Sequence, residues 1–391
     1  MQRSGFHLLM GAQFVSGLAD NALLLVAIAR VAAQDGPVWL PPLLKLVFTL
    51  AYVLLAPVVG PLADRWPKAR VMGVANAVKA LSCMAMAAGA PVVGCFCVAG
   101  VGAALYSPAK YGLVTELVPA ERLVAANGWI EVTTVLAILF GTVLGGGLSE
   151  PRLAHHGFTV LLALYGLAAL LNLGIPDSGA RYAAAPPLHR QWAAFWQDNR
   201  RLWADPLGQV SLATTTLFWG VGATLQFLVL RWAGERLGLS LSEAAYLQGL
   251  SATGVVLGAA LAGRWVLLAQ ATRVLPLGVG LGLLILGMPL VTQWPAAALV
   301  LAVAGLLAGL FVVPMNALLQ HRGCTLLSAG RSIAVQNFNE NASVLGMLGA
   351  YALCAALDLD TLLHGFGLLV AGLSAATVLR HRHLSSRKDC P

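Results

Sequence analysis

The run Gln336-Asn337-Phe338-Asn339-Glu340-Asn341 places five polar side chains within six residues of a stretch that otherwise reads as membrane-spanning. Such groups persist at membrane depth only where they face protein, water or a polar ligand. Amides and a carboxylate together suit hydrogen bonding to a zwitterionic or polyol headgroup. A carboxylate whose pKa is raised by burial can also carry a proton, which an amide cannot. An earlier stretch echoes the run: Glu131-Val132-Thr133-Thr134-Val135-Leu136 matches Glu340-Asn341-Ala342-Ser343-Val344-Leu345 at an offset of 209 residues. Asp20-Asn21 lies near the middle of the first apolar stretch, where a central aspartate costs about 2.5–3.5 kcal/mol on insertion scales. Lys79 lies at mid-depth in the third, with Asn76 on nearly the same face. Gln226 is well inside the seventh, and Arg231 is near its end.

Each group also has a packing explanation. Asp20 with Lys79 reads as a buried pair within the N-terminal half, and Glu131 as a group that orders Arg122 or the 60–70 loop. Arg231 near a membrane boundary reads as a snorkelling anchor. Lys45, early in the second stretch, reaches the interface in the same way. His155-His156 is a lone pair at a helix start and not a metal site. For residues 336–341 packing is the weaker explanation, because helix contacts do not require so many polar groups together.

These residues need a membrane scaffold. The 391 residues are 59% hydrophobic and 10% charged, with a mean hydropathy of +0.80, whereas soluble domains carry about 25% charge. The net charge of +8 comes without a basic run interleaved with aromatics, so no nucleic-acid partner is expected. The six cysteines include no CxxC pair and read as buried thiols. At about 20 apolar residues per span, twelve helices are expected, at 6–32, 40–63, 70–89, 91–115, 122–148, 156–175, 206–232, 243–268, 272–292, 295–319, 326–356 and 361–380. With the N-terminus inside, 18 of the 24 basic residues gather on the cytoplasmic side, Arg65, Lys68, Arg70, Lys110, Arg122, Arg200, Arg201, Arg387 and Lys388 among them. Both termini are then cytoplasmic.

Residues 176–205 form the longest polar segment. Its Trp192, Phe195, Trp196 and Trp203 recur at helical spacing beside Arg190, Arg200 and Arg201, as in an amphipathic helix on the inner membrane face. It divides the chain into six-helix bundles at 1–175 and 206–391. Tyr106-Ser107-Pro108 and Val312-Val313-Pro314 repeat across that division. An all-α, 6+6 integral membrane protein with a central linker has the layout of the major facilitator superfamily. Gly60-Pro61-Leu62-Ala63-Asp64-Arg65-Trp66-Pro67-Lys68-Ala69-Arg70 resembles that superfamily's GxxxDRxGRR loop, with Pro67 in place of a glycine. The resemblance implies that Gly60, Asp64, Arg65, Lys68 and Arg70 gate the protein by latching its outward-open state. No lysine follows a glycine, so no phosphate-binding GxxxxGK[ST] loop is present, and neither an HxxxxD nor a GxSxG motif occurs. An enzyme is not expected, nor a cofactor or a metal.

Six segments are similar to the bacterial lysophospholipid transporters (LplT) of that superfamily. They are AQFVSGLADNALL (12–24), the stretch 100–112 ending YSPAKYG, AANGWIEVTTVLAILFGTVLGG (125–146), SLATTTLFWGVGATLQFLVLRW (211–232), GLFVVPMNALLQHRG (309–323) and IAVQNFNENASVLGMLGAY (333–351). One departure is Gln226, where the family pattern has arginine. Arg231 is about 140° further round the helix and is no automatic substitute.

The resemblance implies an energy-independent flippase of the bacterial inner membrane. It would move lysophosphatidylethanolamine and related lysolipids from the outer to the inner leaflet, for reacylation by a cytoplasmic acyltransferase/acyl-carrier-protein synthetase. Asp20, Asn21, Glu131, Gln226, Gln336, Asn337, Glu340 and Asn341 would meet the headgroup and Lys79 the phosphate, in a protein expected to act as a monomer. A proton-coupled exporter of amphiphilic small molecules is the alternative.

Overall fold

A computed structural model describes residues 3–33, 39–150, 152–182 and 186–386. Arg387, Lys388 and Cys390 lie outside the described residues, as does the side chain of His155. Among the described residues the protein is all-helical. The α-helices are α1 (Arg3–Ala33), α2 (Leu40–Arg65), α3 (Lys68–Ala87), α4 (Val92–Leu117), α5 (Leu123–Leu148), α6 (Ala154–Leu173), α7 (Leu188–Ala204), α8 (Pro206–Leu237), α9 (Leu241–Trp265), α10 (Pro276–Gly287), α11 (Trp294–Leu326), α12 (Ala329–Cys354) and α13 (Leu359–Ser386).

Ten helical segments among the described residues are long and apolar enough to cross a membrane. The two expected spans outside that set are α3 and α12. They are the helices that carry Lys79 with Asn76 and the 336–341 run, so the polar residues themselves account for the shortfall. The linker helix α7 is shorter than its segment and starts only after Pro186-Pro187.

Helix ends depart from expectation where local chemistry extends them. The seventh span reaches Leu237, five residues beyond the expected end, and stops at Gly238 in a left-handed conformation (φ 65°). Arg231 supports the extra turn by bonding Glu235 at 2.6 Å and the carbonyls of Ala355 and Leu357 at 3.0 and 3.1 Å. Ser240 and Glu243 then form a reciprocal capping box that starts α9. The tenth span continues from the expected 319 to Leu326. The ninth is interrupted: Pro276 begins α10, and 3-10 turns at Leu268–Val274 and Met288–Leu290 flank it.

The chain divides into two compact units, and the division follows packing more than chain order. The first comprises 1–119, 133–201 and 323–338; the second comprises 120–132, 202–322 and 339–391. The core of the first unit holds Leu23, Leu44, Met86, Phe96, Leu161 and Tyr165. The second is built on Leu228, Trp232, Leu247, Ile285, Leu301 and Leu363, with the Trp232 indole N–H donating to the Met288 carbonyl at 3.0 Å. In the second unit α9 and α11 interlock through paired Gly-x-x-x-Gly elements. A Cβ at Gly254 or Gly258 would lie 2.2 Å from the carbonyl oxygen of Ala302 or Leu306, and one at Gly305 2.0 Å from that of Ser251. Only hydrogen fits there, and the backbones approach closely without a hydrophobic drive between helices.

Along the sequence, one unit boundary falls within the first copy of the duplicated element, after Val132 in α5, and another falls just before the second copy, after Phe338 in α12.

Candidate functional site

In the first unit, α1 presents Gln13, Ser16 and Asp20 along one face at spacings of three and four residues. Lys79 of α3 is 1% exposed and donates to Asp20 Oδ2 at 2.6 Å and to Ser16 Oγ at 3.0 Å. Ser16 Oγ donates to Asn76 Oδ1 at 2.7 Å, and the Tyr165 hydroxyl of α6 to Asp20 Oδ1 at 2.9 Å. The ammonium also lies 4.9 Å from the centre of the Tyr106 ring. Every charge in this network is matched inside it, which is the condition for holding ions in a low-dielectric interior. Asn21, next along, turns its amide back to the Gly17 carbonyl at 2.8 Å.

One turn along α1, Gln13 Nε2 donates to the hydroxyls of Thr133 and Thr134 on α5. Its Oε1 accepts from Lys110 Nζ at 3.2 Å, and that ammonium is 4.1 Å from the centre of the Tyr111 ring. Lys110, counted above with the cytoplasmic charges, falls inside the expected fourth span. It lies within α4, about two turns before the helix end, and is only half-buried. The signal for it was available as Tyr106-x-x-x-Lys110, an aromatic and a cation on one helix face.

The polar run begins in this unit. Asn337 is buried and exchanges hydrogen bonds with Ser107 of α4, donating at 2.9 Å and accepting at 3.3 Å. Gln336 is 4% exposed. The first turn of α12 is held by the last turn of α2: Asp64 accepts from the backbone N–H of Gly330 at 2.8 Å and of Arg331 at 3.2 Å, and from the Ser328 hydroxyl. A carboxylate here satisfies the unpaired N–H groups of the helix start and complements its dipole. Gly60 permits the approach, since a Cβ there would be 2.8 Å from that of Ala334. Lys68 is buried between Glu116 at 2.6 Å and Asp64 at 3.6 Å. Arg65 and Arg70 are exposed. Tyr182, outside the spans, donates to Glu116 at 2.9 Å, and burial with that carboxylate pushes its hydroxyl pKa up.

In the second unit, Glu131 and Glu340 are buried, 6% and 7% exposed, while Asn341 is half-buried. Below Glu131 on the same face of α5, Asn127 forms a reciprocal amide pair with Gln320 of α11, at 2.9 and 2.8 Å. The sequence reading passed over this pair, although Asn127-x-x-x-Glu131 is a polar i,i+4 spacing. Asn339 accepts from the Trp203 indole at 3.1 Å. Gln226 is exposed on α8, and its backbone carbonyl accepts from Gln248 at 2.8 Å. Asp205 caps α8 and binds Arg322; burial acts to raise its pKa, but Arg322 and the Gly208 N–H hold it below the ordinary carboxylate value.

The sequence profile of the family described as Major Facilitator Superfamily matches residues 9–347. Two curated proteins, both named lysophospholipid transporter LplT, are similar over most of their length. That of Photorhabdus laumondii is 41% identical over 93% of this chain and 92% of its own, and that of Yersinia pestis is 42% identical over 88% and 86%. Among solved structures, the human organic anion transporter MFSD10 superposes with a TM-score of 0.74, covering 95% of this chain and 99% of its own at 18% identity.

Proposed function

The chain belongs to the major facilitator superfamily and, within it, to the lysophospholipid transporter (LplT) family, and on that premise we propose that it carries lysophospholipids across a bacterial inner membrane. The observation that carries the reading is the near-full-length likeness to proteins of that name. In this reading α3 and α12 complete twelve spans, residues 1–175 and 206–391 are the two covalent six-helix halves, and 176–205 is the cytoplasmic linker between them. Both termini are cytoplasmic. The protein is a carrier and not an enzyme, works as a monomer, and delivers lysophosphatidylethanolamine and related lysolipids inward for reacylation by a cytoplasmic acyltransferase.

The polar groups divide the work by chemistry. Lys79 already donates to Asp20 and Ser16, so drawing it to a phosphate would strand a buried carboxylate. Lys110 is half-buried, where Lys79 is almost wholly enclosed, and counts the Gln13 amide and the Tyr111 ring among its contacts, so an arriving anion can reach it. We therefore assign the phosphate contact to Lys110 and keep Asp20 with Lys79 as the pair that sets its surroundings. Gln336, Asn337, Glu340 and Asn341, with Glu131, supply acceptors and amides for an ammonium or glycerol headgroup. The acyl chain stays in lipid or an apolar gap. Nothing in such a cycle consumes a proton.

The test is inward movement of labelled lysophosphatidylethanolamine in vesicles containing the purified protein. Transport is expected to persist without a proton gradient, to exclude diacyl lipid, and to fall at least tenfold in E340A. Full activity in E340A, or equal transport of diacyl lipid, overturns the reading. Strict dependence on the gradient, lost in both D20N and E131Q, would instead establish the proton-coupled exporter of amphiphiles.

A further inference from the structure

Helix α7 has one side buried against protein and another that stays exposed among the described residues. Phe195, Asp198, Asn199 and Leu202 are buried along the first. Trp192 and Trp196, 48% and 43% exposed, lie about 60° and 100° round the helix from Phe195, on a stripe of four-residue spacing that Leu188 heads at 70% exposure along the edge of the buried side. Beyond that stripe, Arg190, Arg200 and Arg201 are exposed. The single acidic residue of α7, Asp198, is buried and bound to Arg331 at 2.7 and 2.6 Å. The outer surface is thus an indole stripe bordered by guanidinium groups without an exposed carboxylate.

The protein side of α7 holds one helix along its first half. Asp198 grips Arg331 near the start of α12, and Phe195 and Trp196 pack edge-on against Phe338 at 5.2 and 5.4 Å between ring centres. Trp203 donates to Asn339. Residues 338 and 339 lie inside the polar run, so α7 braces the run next to Asn337 and its Ser107 partner.

We propose that the outer side of α7 docks on the headgroup layer of anionic lipids, and that through this brace the surface charge of the bilayer sets how firmly 329–341 are held. The chemistry selects that occupant. Indoles favour the interface between apolar and wet layers, and basic residues beside them are drawn to an anionic leaflet over a few ångströms. The proposal rests on the chain spanning a bilayer and not on the identity of its substrate.

Hydrogen exchange on the purified full-length protein tests it, in nanodiscs of phosphatidylcholine alone and with about a third phosphatidylglycerol. In anionic discs, amides of 188–204 and of 329–341 are expected to exchange several-fold more slowly, and R190Q/R200Q to abolish the difference at both segments. High salt should weaken it in the wild type. Equal exchange in the two lipids, protection confined to 188–204, or an undiminished difference in R190Q/R200Q would overturn the proposal. No substrate is present, so failure here leaves the lysolipid assay untouched.

Discussion

At the scale of single residues, the decisive groups are those that cannot be removed one at a time. Lys79 is buried with its charge matched by Asp20, whose side chain is one-fifth exposed. Breaking such a pair strands an ion, at a cost of about 3 kcal/mol or more, while removing both partners does not. K79M and D20N should each lower stability by about that amount, at the low end for D20N because Lys79 keeps its bond to Ser16. The double variant should recover at least half of the summed loss. Equilibrium unfolding in detergent measures this, and simple additivity would show the two sites to be uncoupled. Asp198 makes a different case. Burial raises its carboxyl above the ordinary value, with Arg331 opposing the shift. The folded protein thus binds this proton more tightly than the unfolded chain. Its contribution to stability grows as pH falls through the raised value and is lost as pH rises. D198N should flatten that part of the pH–stability profile relative to wild type; parallel profiles would refute the assignment.

Between helices, packing depends on absent side chains as much as on present ones. The α9–α11 crossing leaves room for hydrogen alone at Gly254, Gly258 and Gly305. G305V should force the helices apart and cost about 3 kcal/mol or more, beyond the usual range for overpacking because the obstacle is backbone. G222A meets nothing within 4 Å of its Cβ and should change stability by less than about 0.5 kcal/mol. Thermal unfolding of the purified variants separates the two, and equal losses would refute the crossing. The 42 glycines permit close helix contacts, but Gly222 and Gly305 look alike in sequence. Only the rotation of each helix decides which glycine faces a neighbour.

For the whole molecule the open quantity is the number of crossings. Ten segments qualify on apolar length, and twelve require α3 and α12 despite their polar residues. With both termini cytoplasmic, the turns after α3 and after α12 must lie on the far side. Alkaline phosphatase fused after Gly89 or after Leu357 should be active, and a fluorescent protein fused after Ser386 should fluoresce. An inactive fusion at either turn would remove that helix from the count.

Apolar period, length and repeat are local properties, so the sequence by itself determined the helices, the duplicated Glu-x-x-Ser/Thr-Val-Leu element and the positions of Asp20, Lys79, Glu131 and the 336–341 run. The extended end of α8 bonds partners further along the chain, Arg231 meeting Ala355 and Leu357, and that of α11 bonds partners far earlier, Gln320 meeting Asn127 and Arg322 meeting Asp205. Partners are a nonlocal property. Tertiary structure gave the Asp20–Lys79 pair its geometry, and it alone set Lys110 beside Gln13, paired Asn127 with Gln320, and placed α7 against Phe338 and Asn339. Each depends on how far a helix is rotated and where it crosses its neighbour, and side chains hundreds of residues apart fix those angles.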